Sequence, residues 1–278
     1  MPGARGTAFT VLMRHSAERP PSVVDRVLDV LGAFTAERPQ LTLSELSRRT
    51  ALPLSTTHRL AGELCRRGAL VRDDAGRYRV GLWLWEIASL APHGAELREN
   101  AMPFLEDLYE ATHQNVQLAV LDVAEVVYVE RISGRGAVNI LSRVGGRLPT
   151  HATGVGLALL AHAPIEVQEE VLGAPLKVFT EKTISSPEQL RRVLADVRRD
   201  GYVISDGQIE LIALSVAAPV FGPDDTVVAA ISIVVPAEGT DPRTLVPAVR
   251  AAARGISRGL GAPRALRTSA TSQVPGEP

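Results

Sequence analysis

The sequence predicts an α+β protein in two parts: a winged helix-turn-helix, then a larger domain in which helices bracket an antiparallel sheet. Three observations carry this. Residues 41–67, LTLSELSRRTALPLSTTHRLAGELCRR, read as two short amphipathic helices joined by a tight turn. The apolar stretches Leu211 to Phe221 and Thr226 to Val235 flank Gly222-Pro223-Asp224-Asp225 and read as a hairpin. At 278 residues the chain is too long for a winged helix alone, which leaves room for a second core.

The expected divisions are an arm over 1–20, a DNA-binding unit over 21–82, a linker helix over 83–95, a second domain over 96–262 and a tail over 263–278. Both ends are rich in small and polar residues without periodicity and are expected to be disordered. Met13 offers an alternative start. From Ser22, a first helix buries Val23, Val27, Val30 and Leu31 at helical spacing. Thr42 caps the next helix while Glu45 reaches back to it. Ala51-Leu52-Pro53 then breaks the run, because the residue before a proline avoids helical geometry. In the following helix Leu60 and Leu64 face inward. The small hydroxyl cluster Ser55, Thr56 and Thr57, with His58 and Arg59, occupies the N-terminal part where a recognition helix meets base edges and phosphates. Gly68 supplies a left-handed cap. Leu70 to Arg72 and Arg77 to Val80 read as strands of a wing, with Arg72, Arg77 and Arg79 presented to the DNA backbone and Tyr78 and Val80 packed inward. Helix-turn-helix units also serve as plain packing motifs, but here caps, turn, hydroxyl cluster and ribbon agree. Trp83 to about Leu90 reads as a linker helix, whose two tryptophans and Ile87 call for a partner subunit.

From Glu96 the pattern mixes helix and strand. A helix to about Ala111 leads into strands over Val116 to Leu121 and Val126 to Ile132. Ala137 to Val144 reads as a third strand, Gly145 to Pro149 as a loop, and Gly154 to Ala161 as a short helix. Ser186-Pro187-Glu188-Gln189 combines a cap with a first-turn proline and opens a helix ending near Gly201. A strand over Tyr202 to Ser205, the long hairpin and a closing helix from Asp241 to about Gly259 complete the chain.

Net charge is formally −1, so the chain is no general polyanion coat. From Thr42 to Arg72, however, six arginines face two glutamates, which focuses positive charge on the helix-turn-helix. The single cysteine, Cys65, forms no internal disulfide and suits a reducing, cytoplasmic setting. No segment has the length of a membrane span or the pattern of an export signal. The six histidines show no HxxxH pair, so no metal site is expected. Gly154-Val155-Gly156 lacks a third glycine, and no phosphate-binding loop follows, so no cofactor is expected either. A triad of Ser215, His151 and Asp206 can be drawn, yet Ser215 lies within a strand and lacks the GxSxG elbow.

What remains suits a small polar molecule. Thr150 to Gly156 runs into a helix start, where backbone amides and small side chains admit an anion. Ser215 and Ser232 are single hydroxyls in otherwise apolar strands, and a buried hydroxyl needs a partner. Two readings stay open on the residues alone: a ligand completes these groups, or nearby backbone does.

The chain resembles the IclR family of bacterial transcription regulators from about Ser22 to Gly261. The resemblance rests on LPLSTTHRL with YRVG closing the wing, on GGRLPTHATGVGLALLA, and on GYVISDGQIELIALSVAAPVFG followed by VVAAISIV. It implies a winged helix-turn-helix, a linker helix used in dimerisation and a GAF/PAS-like effector domain. It also implies dimers or tetramers on palindromic double-stranded operators, and a small organic or aromatic acid as effector. Family positions place that effector near Gly154, Val155, Ser205, Asp206, Ser215 and Ser232. The family's frequent cysteine is Ser215 here, its pocket aspartate falls on Ser205 with Asp206 beside it, a further pocket serine is Val234, and a lysine after the glycines is Leu157. Glu210 keeps an acidic position, although a glycine two residues on is Ile212. Serine at the cysteine position also occurs in the aromatic-acid branch. The expectation is therefore a regulator without enzymatic activity, its operator affinity set by an organic acid. The alternatives are an enzyme or metabolite binder using Ser215 and His151, and a DNA-binding scaffold without an effector.

Overall fold

The computed structural model describes residues 21–35, 37–90 and 95–270. The expected N-terminal arm, with Met13, and residues 271–278 lie outside the described residues. Contacts divide the chain into two compact units, Met1–Ala91 and Pro92–Pro278.

In the first unit the elements run α1 (Val23–Gly32), β1 (Gln40–Leu41), α2 (Leu43–Thr50), α3 (Leu54–Arg66), β2 (Leu70–Arg72), β3 (Tyr78–Val80) and α4 (Leu82–Ala88). Both α1 and α2 open with full capping boxes, Ser22 with Asp25 and Thr42 with Glu45, which satisfy amides that a helix start leaves unpaired. Ala51 adopts the left-handed region at φ 56° and turns the chain from α2 toward Pro53, which precedes α3. Val30, Leu46, Leu60, Leu64 and Tyr78 meet in one core. The sheet order is β1-β3-β2, so β3 is the central strand. β1 was not expected, since two residues are too few to show a period. Val80, expected inward, is half exposed. It stands at the end of β3 opposite Leu70, which is buried while Val80 stays open to solvent. The linker helix α4 is shorter than the expected 83–95. Leu84 packs on the first core, whereas Trp83, Trp85 and Ile87 stay exposed.

The second unit contains α5 (Ala95–Thr112), β4 (Asn115–Asp122), β5 (Glu125–Ile132), β6 (Arg147–Pro149), α6 (Gly154–Leu160), α7 (Ile165–Gly173), α8 (Pro187–Asp200), β7 (Val203–Asp206), β8 (Ala213–Phe221), β9 (Val227–Pro236), α9 (Val246–Gly259) and α10 (Pro263–Ala270). The sheet order is β6-β5-β4-β9-β8-β7, and every neighbouring pair is antiparallel. β8 and β9 read as continuous apolar runs because both of their faces are covered. Val216, Ile231 and Ile233 join α5 and α9 on one face. Ala217 and Ala230 join α6, α7 and α8 on the other.

Three expectations are corrected here. Ala137 to Val144 forms no strand, because its backbone is held by side chains from the sheet instead of a ladder: Asn115 Nδ2 donates to the Val138 carbonyl and Arg131 Nη1 to that of Ser142. The segment expected to be a loop contains β6, which pairs Leu148 with Val126 on β5. Part of the expected tail is the helix α10, docked through buried Ala262 and Ala265, with the Arg264 guanidinium 4.0 Å from the Phe221 ring centre. Helix α7 also went unread, lying in a segment with no cap residue before Ile165.

Candidate functional site

Two regions hold the expected site residues, one in each unit. In the first, the α2–α3 turn and the proline start of α3 leave Ser55, His58 and Arg59 exposed and Thr56 half-buried on the N-terminal part of the helix. Thr57 departs from its expected role. It is fully buried, and its hydroxyl donates to the Pro53 carbonyl at 3.1 Å, so it braces the helix start from within.

The wing also differs in detail. Arg72 and Tyr78 are register partners, and the Arg72 guanidinium lies 5.5 Å from the Tyr78 ring centre. Arg79 pairs with Val71 on the opposite face of the ribbon. Arg77, just outside the strand, is bound to Asp73 at 3.2 Å. The three arginines are exposed but do not share one face.

In the second unit, a cleft opens on the α6 side of the sheet. Its floor follows from register. Ser205 of β7 pairs with Ser215 of β8, and Ser215 with Val234 of β9, so the three side chains lie in one row; all three line the cleft. The start of α6 presses onto this row. A Cβ at Gly154 would lie 2.6 Å from Ser215 Oγ, and one at Gly156 only 2.4 Å from the Thr150 carbonyl oxygen. Glycine at 154 lets the helix approach the strand, and glycine at 156 lets the preceding turn fold against the helix. Thr153 caps α6 by accepting from the Gly156 amide at 3.2 Å, and Gly154 and Val155 border the cleft.

Two expected residues stand outside this lining. Ser232 is fully buried one row further along, and its hydroxyl faces Gln117 Oε1 at 3.5 Å. Asp206, following Ser205 along the strand, turns its carboxylate to Lys182, with Oδ2 2.7 Å from Nζ.

The rest of the lining was not read from the sequence. Gln117 donates to Ser142 Oγ at 2.5 Å, and both border the cleft. So do Tyr128, Ile140, Leu141, Gln208 and Glu210. Burial raises the pKa of the Tyr128 phenol, which keeps it a proton donor. A glutamine inside the apolar run of β4 was the available signal for Gln117. Among the loop residues only Glu210, at an acidic position of the family, had stood out; the others gave no signal, because only the fold brings them over the sheet.

His151 is buried, and its Nε2 lies 3.0 Å from the Lys177 carbonyl oxygen, so the ring nitrogen donates there. Burial lowers its pKa and favours the neutral ring. With Nε2 committed in this way and no hydrogen bond joining His151 to Ser215 among the described residues, the two do not form a nucleophile–base pair. Among the described residues no group of three His, Cys, Asp or Glu side chains is placed to hold a metal ion. No described helix is long and apolar enough to cross a membrane.

Two family models match the chain. The IclR helix-turn-helix domain matches residues 23–74, and the bacterial transcriptional regulator IclR C-terminal model matches residues 90–258. An IclR homolog from Microbacterium hydrocarbonoxydans, solved in complex with 4-hydroxybenzoate, is 43% identical with a TM-score of 0.81; the match covers 86% of this chain and 99% of that one. The IclR structure from Thermotoga maritima matches at 26% identity and a TM-score of 0.71, over 86% of this chain and 98% of that one. The HTH-type transcriptional regulator XynR of Escherichia coli is 32% identical over 86% of this chain and 97% of its own length.

Proposed function

The chain belongs to the IclR family of bacterial transcriptional regulators, and on that premise we propose that a small aromatic or other organic monocarboxylic acid occupies the cleft and sets affinity for operator DNA. The carrying observation is the unspent polarity of the cleft. The hydroxyls of Ser205, Ser215 and Tyr128 line one volume, and no other described residue uses them. Around them the walls are apolar, with Ile140, Leu148, Val155 and Val234. Apolar walls with a few polar groups to give orientation suit a single-ring acid. The complex of the Microbacterium homolog with 4-hydroxybenzoate supports an acid of this size.

In this reading Ser55, Thr56, His58 and Arg59 meet base edges, and Arg72, Arg77 and Arg79 meet phosphates. A homodimer or homotetramer engages a palindrome. The acid acts on binding equilibria and undergoes no reaction.

Calorimetric titration with benzoate, 4-hydroxybenzoate and their uncharged amides tests this. The acids should bind and the amides should not, and Ser215→Ala should weaken binding by about 1 kcal/mol, the net contribution of one hydrogen bond. Absence of binding by any acid, with operator binding intact, would leave a DNA-binding scaffold instead.

A further inference from the structure

The wall of the cleft opposite α6 is a strap, residues 134–146, without regular secondary structure. Its inner edge is tied down repeatedly. Asn115 holds the Val138 carbonyl, Arg131 and Gln117 hold Ser142, and the Gly145 amide donates to the Tyr128 carbonyl at 2.8 Å. Near each end sits a glycine at positive φ with open space around it, Gly136 at 95° and Gly145 at 73°. From the strap the Leu141 amide crosses to the β7–β8 turn and donates to Glu210 Oε2 at 3.1 Å. Both residues line the cleft.

Glu210 is also the one charged side chain in that lining, which contains no lysine, arginine or histidine. Of the cations on neighbouring segments, Lys182 is held by Asp206 and Arg131 by Ser142 and Asn115. A first carboxylate on a ligand has the serine and tyrosine hydroxyls to meet. A second would share a partly desolvated space with Glu210, in a lining that holds no cation.

Resting on the acid reading above, we propose that Glu210 is the specificity-determining residue of the cleft. Through Leu141 it holds the strap closed, and through its charge it restricts the cleft to monoanionic ligands over dicarboxylates.

Two substitutions separate these contributions. Glu210→Gln keeps an oxygen for the Leu141 amide and removes the charge, while Glu210→Ala removes both. The probes are 4-hydroxybenzoate and terephthalate, rings of similar length carrying one and two negative charges at neutral pH. Calorimetry on the full-length protein should show a preference for 4-hydroxybenzoate of about ten-fold or more, the scale of a like-charge contact at an intermediate dielectric, and Glu210→Gln should shrink that ratio by a similar factor. Hydrogen exchange without ligand should quicken across residues 134–146 in Glu210→Ala and not in Glu210→Gln. An unchanged affinity ratio in Glu210→Gln would overturn the selectivity, and unchanged exchange in Glu210→Ala would overturn the closure. Binding of neither acid to any form would remove the acid reading and the selectivity with it, while the exchange comparison still decides whether Glu210 holds the strap.

Discussion

Thr57 and Arg59 stand two residues apart on α3 and have opposite surroundings. Thr57 shares the inward stripe of Leu60, Ala61 and Leu64, at offsets of three, four and seven residues, and is buried; Arg59 is exposed. That contrast was legible in the helical period, whereas the hydroxyl cluster as a composition signal merged the two. Arg59→Ala should lose about 1 to 3 kcal/mol of operator affinity without changing the circular dichroism spectrum, the cost of one lost base contact, as read by mobility-shift titration. The residues expected at an effector divide similarly. Ser215 could be picked out as a hydroxyl within an apolar strand, but Ser232, equally conspicuous, spends its hydroxyl on Gln117, a pairing made only by the β4–β9 register. Histidine 151 and histidine 162 support a pH prediction. Burial lowers the pKa of both, and Arg198 and Arg264 lower that of His162 further. The unfolded chain then binds more protons as the pH falls through about 6.5, so the stability from the neutral rings is complete above that value and declines below it, levelling once the folded-state rings protonate. The melting temperature should therefore drop between about pH 7.5 and about pH 5.5, and His162→Gln should flatten part of that drop.

At the scale of elements, those with local punctuation were legible and those defined by distant partners were not. The Ser22, Thr42 and Ser186 caps, the Pro187 start and the left-handed Gly201 end mark α1, α2 and α8 in the sequence as plainly as in the structure. Strap residues 137–144 include the β-branched Val138, Ile140 and Val144 that suit a strand, yet Asn115 and Arg131 occupy the carbonyls a neighbouring strand would have used. β6 is three residues long and exists because Leu148 is drawn against Val126. The linker helix α4 poses the sharpest question of this kind. Trp83 is 43% exposed, Trp85 68% and Ile87 47%, an apolar surface large enough to call for a partner. If a second copy covers it, light scattering should give at least a dimer at micromolar concentration. Trp85→Glu should then shift the mass toward monomer and weaken binding to a palindrome more than to a half-site. A wild-type monomer that binds a palindrome tightly would contradict this role for α4.

For the whole molecule, the two-part division and the α+β class followed from length and from the change of period after Glu96, because each part needs a core of its own. The cleft followed only in part: Gly154, Val155, Ser205 and Ser215 stood among the expected residues, whereas Gln117 on β4 and Leu141 on the strap are brought to them only by the fold. Regulation requires one further property, a free-energy coupling between an acid in the second unit and DNA on the first. Such coupling is reciprocal: the factor by which the acid changes operator affinity must equal the factor by which operator changes acid affinity. Coupling of this kind is typically about 1 to 3 kcal/mol, or roughly 5- to 150-fold. Mobility shifts with and without saturating 4-hydroxybenzoate measure the first factor, and calorimetry on free and operator-saturated protein measures the second. Equal factors different from one would establish effector control, with their direction giving its sign. Tight acid binding with both factors equal to one would make the cleft a ligand site unconnected to transcription. Unequal factors would mean that the two titrations compare different assembly states, which light scattering under each condition would identify.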